Sequence, residues 1–545
     1  MRFTAFLLAI ITASALLAAD SKAAAEKNHD HCSVPAGAAA PSLPAKLMEG
    51  MGRVDFKITT RSPEAQKFFN QGIAQMHSFW TKEAERSFLQ AAQLDPEAPM
   101  PWFGVAMVAG GQYQPRFQVD NWEEMMGPQP RTTRRAWDAA QKALDLAKVP
   151  GKATDLEKMY IAAVAARRIP VAKQNSDDAY IAAWKALLAK YPEELEAKTF
   201  LSLHLMRGFD LPSHQPKLTS MEAIELLRPL IAKYPDHPGV HHYVIHGWEG
   251  SAFAKEAWTS SAIYLKLAPG IPHALHMPGH IYSQTGKWDE AIESFSLAKA
   301  KELEYMAADK AYGNGHHGHN VHYLSTVHSF KGDYEGAVRE AQHLIAIPET
   351  EAQQKSADLF TDAYAQGFIA MLRALTQHQK WDLILEGKML PQISRPRQEA
   401  WTAWARGIAY ANLGKAAQAR TELKKMETAL ARFQSRVKNP QPRELTVARE
   451  ELMAQILLAA GKSEKGLKAL ELAAQHERQL RYTEPPYYAR PAYEALGHWA
   501  VKLGRQDLAR RAYEQAVDQF PGDMVALRAL AGLSSKAQQP SGGHE

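Results

Sequence analysis

The sequence has little of three things that often define a protein's class: cysteine, long apolar runs and charge of one sign. Cys32 is the only cysteine among 545 residues, so no disulfide can form within the chain. Beyond the N-terminus, no apolar run approaches the ~18 residues that a membrane-spanning helix needs. The net charge is only +5, and no dense Lys/Arg stripe occurs, so nucleic acid is not the partner that the composition indicates.

The first residues have the pattern of a secretory signal peptide. Arg2 precedes an apolar stretch from Phe3 to about Ala18, and small residues follow it. We therefore expect residues 1–24 to be a signal peptide, cleaved near Ala19 or Ala24, and the mature protein to be periplasmic or secreted. A membrane anchor is the alternative, but the apolar run is short and no anchoring flank follows, so no membrane span is expected after signal removal.

The stretch after the signal is rich in Ala and Pro, and residues 25–60 are predicted to form a flexible N-terminal arm. The arm contains His29, His31 and Cys32. This group could catch a metal ion, or its histidines could be solvated residues of a tail. Cys32 lies too far past the apolar run to be the cysteine of a lipoprotein.

Helical periodicity runs through most of the chain and returns with a period of about 34 residues. In such a unit two antiparallel helices cross at small residues in positions 8 and 20, and bulky residues fill positions 4, 11 and 24. With Gly72 at position 8, Phe68, Ala84 and Phe88 fall at positions 4, 20 and 24. Three further units in the same register have position 8 at Gly279, Gly407 and Gly497. This tetratricopeptide repeat (TPR) pattern predicts an all-α fold, a TPR α-solenoid of antiparallel helix pairs stacked in a superhelix, with loop insertions.

The repeat register and its interruptions divide the mature chain. N-terminal TPR-like helices are expected over 61–236, His-rich repeats over 237–345, linking helices over 346–397, C-terminal TPR repeats over 398–533 and a disordered tail over 534–545. Loop insertions are predicted at 110–132, at 208–219 and at the Gly/His-rich segment 313–318, because Gly and Pro interrupt the period there.

Histidine is concentrated in the middle of the chain: 13 of the 22 histidines lie between His237 and His343. In the repeat register, three of these residues share position 5, two share position 9 and two share position 2. Glu249 falls at position 12. Positions 2, 5, 9 and 12 lie on one face of the first helix of a repeat, and first helices line the concave surface of a TPR superhelix. One groove is therefore predicted to collect His242, His246, Glu249, His273, His276, His280, His319 and His322.

This residue set predicts a metal site. Two His-x-x-x-His pairs, His242/His246 and His276/His280, each place two imidazoles one helical turn apart, which suits a single cation. Imidazole is accepted by copper, zinc, iron and nickel. We expect one or two ions, copper or zinc first, with iron or nickel as alternatives. Glu249 is the candidate general base, or a further ligand, if a metal-bound water reacts.

Other readings of these histidines remain open. A polar groove could instead hydrogen-bond a peptide. His241 and His328 fall at packing positions and are expected in the core, while His316 and His317 lie in the predicted Gly/His loop and are expected to be solvated. His77 and His204 are isolated in the sequence and receive no functional weight.

Several stretches resemble a family of bacterial exported TPR proteins. They are SPEAQKFFNQGIAQ at 62–75, EAERSFLQAAQLDPEAPMPWFGVA at 83–106, HHYVIHGWEGS at 241–251, HALHMPGHIY at 273–282, HNVHYL at 319–324 and YTEPPYYARPAYEALG at 482–497. The resemblance covers most of the mature chain. It implies a TPR array with histidine-bearing central helices and export, and no particular reaction.

Three functions therefore compete. The first is an exported TPR protein that binds one or two transition-metal ions and acts as a metalloenzyme. The second is a scaffold that holds a protein or peptide in the groove. The third is a periplasmic metal chaperone whose His29/His31/Cys32 arm delivers the ion. No phosphate-binding loop, nucleophile elbow or H-E-x-x-H motif supports another chemistry, so whether the protein is an enzyme stays open.

Overall fold

The computed structural model describes residues 41–109, 133–171, 174–309, 312–356, 362–391, 394–436, 442–480, 482–486 and 488–537. The chain divides into two compact units. The first takes in the described part of Met1–Phe209 together with Pro216–Trp248 and Thr259–Ala274. The second consists of Asp210–Gln215, Glu249–Trp258 and the described part of Leu275–Glu545.

Helices build both units, as the sequence predicts. The first ten in chain order are α1 (Pro63–His77), α2 (Thr81–Leu94), α3 (Pro99–Val108), α4 (Arg134–Ala147), α5 (Asp155–Arg168), α6 (Ser176–Lys190), α7 (Leu195–Leu205), α8 (Leu218–Lys233), α9 (Pro238–Trp248) and α10 (Trp258–Leu267). Helix α11 (Pro272–Gln284) has its first three residues in the first unit and the rest in the second. A 3₁₀ turn, Ala254–Ala257, precedes α10.

The second unit continues with helices of very different length. They are α12 (Trp288–Ala308), α13 (Gly315–Lys331), α14 (Tyr334–Ile345), α15 (Glu351–Lys355), α16 (Ala363–Gln377), α17 (Trp381–Glu386), α18 (Pro396–Asn412), α19 (Ala416–Arg436), α20 (Arg443–Ala459), α21 (Ser463–Arg478), α22 (Ala492–Lys502), α23 (Gln506–Gln519) and α24 (Met524–Ala537). None of the helices in the described part of the chain is both long and apolar enough to cross a membrane.

Close helix crossings occur where the repeat register places glycine. A Cβ atom added to Gly72 in α1 would lie 2.5 Å from the ring of Phe88 in α2. The same clash, at 2.6 and 2.7 Å, would occur between Gly279 and Phe295 and between Gly497 and Tyr513. Positions 8 and 24 therefore meet in three separate helix pairs, which confirms the all-α, TPR-like fold.

The described part of the predicted flexible arm is packed, not free. Met51, Val54 and Phe56 are buried. The side chain of Gln71 in α1 donates to the carbonyl of Lys46 and accepts from the backbone N–H of Met48. Three apolar side chains and these hydrogen bonds hold residues 46–56 against the first unit, so the prediction of flexibility is wrong for that part of the arm. Residues 25–40, with His29, His31 and Cys32, lie outside the described residues, as does the signal segment 1–24.

Other irregular segments differ from their predictions in part. The Gly/His-rich segment 313–318 is a loop only at residues 313–314, because α13 begins at Gly315 and residues 315–318 form its first turn. The insertion at 208–219 contains two paired two-residue strands, β1 (Phe209–Asp210) and β2 (Gln215–Pro216). Helix α24 extends to Ala537, past the expected start of the tail at 534. The insertion at 110–132 lies outside the described residues.

Candidate metal centres

Six of the eight predicted ligands fall into two groups of three, one in each unit. In each group one nitrogen per imidazole lies within 4.8 Å of the corresponding nitrogens of the other two. We call His242, His246 and His273 site A, in the first unit, and His276, His280 and His319 site B, in the second. These histidines were predicted to share a single groove, and we treat them as two centres, one in each unit.

The histidine-bearing helices are buried on nearly all sides, which the prediction of an open groove did not anticipate. His242, His276 and His280 are at most 2% exposed, and His246 is the only residue of α9 that is not fully buried. Segments outside the repeats lie against these helices. In the first unit the backbone N–H of Gly270, just before α11, donates to the carbonyl of Gly50. In the second unit the side chain of Gln284 in α11 donates to the hydroxyl of Tyr482.

The residues of site A lie on α9 and at the start of α11. His242 and His246 lie one turn apart on α9, with ring centroids 4.7 Å apart, and His273 is the second residue of α11, 5.1 Å from His242. The Nδ1–H of His242 donates to the backbone carbonyl of His77, near the C-terminal end of α1. Because a carbonyl can only accept, the other nitrogen, Nε2, carries the lone pair that a metal ion needs.

Aromatic rings enclose site A. Phe79 packs against all three imidazoles, with centroid distances of 4.5 Å to His242, 5.1 Å to His246 and 5.5 Å to His273. Its backbone adopts a φ of 54°, a left-handed conformation that is uncommon for an aromatic residue. Tyr264 of α10 stacks on the other side of His242 at 4.9 Å. These contacts fix the ring planes of the site.

In site B the three Nε2 atoms face one another directly. Nε2 of His276 lies 2.6 Å from Nε2 of His280 and 3.1 Å from Nε2 of His319. The Nδ1 atoms of the first two rings point away, to Oδ1 of Asn320 at 2.7 Å and to the carboxylate of Glu249. Lone pairs on two nitrogens at 2.6 Å repel unless a proton lies between them.

Burial and neighbouring charges shift the pKa values of two histidines in site B in opposite directions. Burial disfavours the charged form of His280, but the negative charges of Glu249 and Glu484 outweigh burial and raise its pKa to about 10. Burial, and then the charge on His280, hold the pKa of His276 well below its usual range. These opposite shifts favour a charged His280 beside a neutral His276, whose Nε2 atoms lie 2.6 Å apart.

Glu249 lies on the far side of His280 from the three Nε2 atoms. It contacts Nδ1 of His280, so it lies beside a candidate ligand, and its predicted role as general base or direct ligand stays a prediction. Sequence reasoning missed its neighbour Glu484, whose Oε2 is 3.1 Å from the same Nδ1. No spacing rule could find Glu484, because more than two hundred residues separate it from His280.

A second layer of polar groups orients His276. Nδ2 of Asn320 donates to the carbonyl of Phe295 at 3.0 Å and to Glu302 at 3.2 Å, so Oδ1 is the atom that faces His276. Glu302 also accepts from His316 and His317, which anchors both rings; His317 is buried, whereas His316 is partly exposed. Burial by itself raises the pKa of Glu302. The charges and hydrogen bonds of both histidines outweigh burial and hold this pKa below its usual value.

His322, a predicted ligand, joins neither site among the described residues. Its Nδ1 contacts Oε1 of Gln366, and its Nε2 lies 3.5 Å from the guanidinium of Arg373. A positive charge beside Nε2 disfavours a metal ion there. His241 and His328, predicted as core residues, are both buried and hydrogen-bonded, to Ser260 and to Asp333.

The sequence analysis did not predict a third group, which consists of His77, Glu196 and His237. Nε2 of His77 and Nε2 of His237 lie 2.6 and 3.0 Å from the two oxygens of the buried Glu196. Nδ1 of His237 accepts from the backbone N–H of Val240, which leaves its proton on Nε2, directed at Glu196. This group is closed by hydrogen bonds, and it supports site A because the carbonyl of His77 orients His242.

Comparisons with known proteins assign no function to the chain. No family model and no curated protein matches the chain. Among solved structures it is similar to the APC/C hetero-tetramer Cut9–Hcn1, at 11% identity over 86% of this chain and 76% of that chain, with a TM-score of 0.28. It is also similar to the human IFIT1 dimer with PPP-AAAA, at 11% identity over 88% and 92%, with a TM-score of 0.30. Such low scores carry no argument about activity, and the helix pairs described above establish the fold.

Proposed function

We propose that the protein binds transition-metal ions through two three-histidine centres, site A and site B. The observation that carries the proposal is the convergence of three Nε2 atoms in site B, while the Nδ1 atoms of His276 and His280 donate to Asn320 and Glu249. Metal-ligating histidines are typically held this way, by an oxygen acceptor on the nitrogen that does not bind the ion.

The geometry suits a tetrahedral ion after a small adjustment. Zinc–imidazole bonds of about 2.0–2.1 Å place ligand nitrogens about 3.3 Å apart, close to the separation of His276 and His319. His276 and His280 would have to separate by about 0.7 Å from their present 2.6 Å. Neutral imidazoles suit zinc and copper best, and iron or nickel less specifically.

Three protein ligands leave a fourth coordination position. Catalytic zinc centres keep such a position for water or substrate, whereas structural centres fill all four. The same open position allows an ion to be handed on. The site chemistry therefore supports either turnover or metal transfer, and the delivery role of His29, His31 and Cys32 stays a prediction.

The main alternative is a scaffold that binds a protein or peptide, a common use of helical repeats. In that case the histidines would hydrogen-bond a peptide in an open groove. Their burial weighs against this, since His242 and His276 are 0% exposed and already bonded to groups of the chain itself. A partner could still bind elsewhere on the repeats.

Metal titration of the purified full-length protein tests the proposal. After chelation and dialysis at neutral pH, calorimetry with zinc, and with cuprous copper under nitrogen, should show about two ions bound per chain. Replacing His276 and His280 together by Ala should remove one ion, and replacing His242 and His246 together should remove the other. His476→Ala, at a half-exposed histidine paired with Glu450, is the control and should leave both ions bound.

Circular dichroism of each variant shows whether lost binding reflects lost ligands or lost helices. Helical content close to that of the parent is expected, because the paired substitutions change two side chains within a long helical array. Absence of uptake of zinc, copper, iron and nickel by the parent protein would defeat the proposal and favour the scaffold.

A further inference from the structure

Two carboxylates lie beside site B without facing the ion position. Glu249 Oε1 and Glu484 Oε2 both contact Nδ1 of His280, the latter at 3.1 Å, and the three atoms lie within 4.8 Å of one another. Glu249 is 5% exposed. The Nε2 atom on the opposite edge of the same ring faces His276. The pair is thus one imidazole ring away from the proposed ion.

Specific contacts hold Glu484 in this place. It belongs to the described segment 482–486, in which the hydroxyl of Tyr482 accepts from Gln284 of α11. The buried guanidinium of Arg373 in α16 donates to the carbonyls of Pro486 and Tyr488. Both ends of the segment are therefore fixed to helices of the same unit, and Glu484 is presented to His280 by these contacts.

Charge balance gives the carboxylates a purpose beyond holding a ring. Three neutral imidazoles supply no charge, so a buried divalent ion in site B would otherwise be uncompensated. When both are ionised, the two carboxylates one ring away supply two negative charges, and their attraction grows in proportion to the charge of the ion. A divalent ion gains about twice as much from them as a monovalent ion does.

Resting on the metal-binding function proposed above, we infer that Glu249 and Glu484 are the residues that make site B selective for divalent over monovalent ions. They do so as positioning and charge-compensating partners of His280, without ligating the ion. Site B is then a zinc-type centre, in which cuprous copper binds with a smaller advantage from these two groups.

The test uses the full chain with site A removed by His242→Ala and His246→Ala. Into this background, Glu249→Gln and Glu484→Gln are introduced together. Glutamine keeps an oxygen that accepts from Nδ1–H of His280, so the ring stays oriented while both charges are lost. Affinities for Zn²⁺ and for Cu⁺ under nitrogen are measured by competition with a coloured chelator. The absorption spectrum of bound Co²⁺ reports whether tetrahedral geometry is kept.

The expected result is a loss of about 10–100-fold in Zn²⁺ affinity, the range typical of outer-shell partners. Because the attraction is proportional to the charge of the ion, the loss of binding free energy for Cu⁺ should be at most half of that for Zn²⁺. This corresponds to a loss of at most about 3–10-fold in Cu⁺ affinity. The Co²⁺ spectrum should keep its intensity. The single change Glu484→Gln should give an intermediate loss. Glu450→Gln, at a carboxylate that bonds the half-exposed His476, is the matched control and should change neither affinity.

Equal losses for Zn²⁺ and Cu⁺ would overturn the inference, because they would mean that the carboxylates only hold the ring. Unchanged Zn²⁺ affinity would overturn it as well. Both results leave the metal-binding function standing. Failure of the site-A-deleted parent to bind either ion is a different result, and it would count against the proposed function of site B itself.

Discussion

At the scale of single residues, the proton on each imidazole is directed by the oxygen that its Nδ1 meets. His242 donates to the carbonyl of His77 and His276 to the amide oxygen of Asn320. In both rings the Nδ1–H bond therefore leaves the electron pair on Nε2. His322 occupies the same repeat position, yet it meets Gln366 and Arg373. Identical positions in the repeat thus acquire different chemistry from their neighbours.

That contrast explains what could be predicted about the site. Periodicity placed six of the eight predicted residues, all histidines, in the two centres, because helical spacing fixes which side chains share a face. It could not find Glu484 or Asn320, and it could not exclude His322. Those assignments depend on contacts between helices and segments far apart in sequence, which no local period encodes.

Another buried acid supports a prediction about pH. Glu477 in α21 accepts from the side chain of Gln519 at 2.9 Å, and burial raises its pKa to about 8. An ordinary glutamate titrates near 4.3 when the chain is unfolded. The pKa of Glu477 is therefore higher in the folded protein than in the unfolded chain. The stability that protonated Glu477 contributes to the fold is fully present below the unfolded pKa and is lost as the pH rises through about 8.

Glu477→Gln should therefore become more stable relative to the parent as the pH rises from 5 to 8. The difference in unfolding free energy between the variant and the parent should grow by about 1.4 kcal/mol per pH unit, because glutamine has no proton to lose. Chemical denaturation of metal-free protein at several pH values measures it. A difference in unfolding free energy that stays constant over this range would contradict the assigned ionisation.

At the scale of helices, the repeat is held together by close crossings at small residues. Ala509 of α23 is fully buried at position 20 of the last complete repeat, and Tyr513, one turn later, fills the space that Gly497 of α22 leaves open. Tight packing of this kind leaves little room for added methylene groups. The helices of each pair are therefore specified by where small side chains occur.

Ala509→Leu should accordingly destabilise the protein by about 1–3 kcal/mol, the usual cost of overpacking a core. Glu514→Leu, on the exposed face of the same helix, is the matched substitution and should change stability by less than about 0.5 kcal/mol. Melting curves of both variants measure the effect. Equal shifts in the two variants would show that the register assigned to this repeat is wrong.

Helices were easier to predict than the segments between them. The period indicated the pairs, but it gave no account of residues 315–318, where Gly and His residues look like a loop and form the first turn of α13. There the anchoring of His316 and His317 by Glu302 supplies contacts that composition does not reveal. Likewise, the packing of Met51 and Phe56 comes from tertiary contacts and not from local propensity.

At the scale of the whole molecule, each of the two units contains one three-histidine centre. The centres differ in their surroundings: Phe79 and Tyr264 pack on the imidazoles of site A, and two carboxylates contact a histidine of site B. Export remains a prediction of the N-terminal sequence. An exported protein would meet metal ions outside the cytoplasm, which is consistent with a role in binding them.

The most direct test of the central claim is to locate the ions. Crystals of the full-length protein grown with zinc, or with copper under reducing conditions, should give anomalous difference peaks at the metal absorption edges. We expect one peak bonded to His242, His246 and His273 and a second bonded to His276, His280 and His319, with Glu249 and Glu484 outside the coordination shell. Crystals loaded with each metal in turn that show no peak at either set of histidines would contradict it.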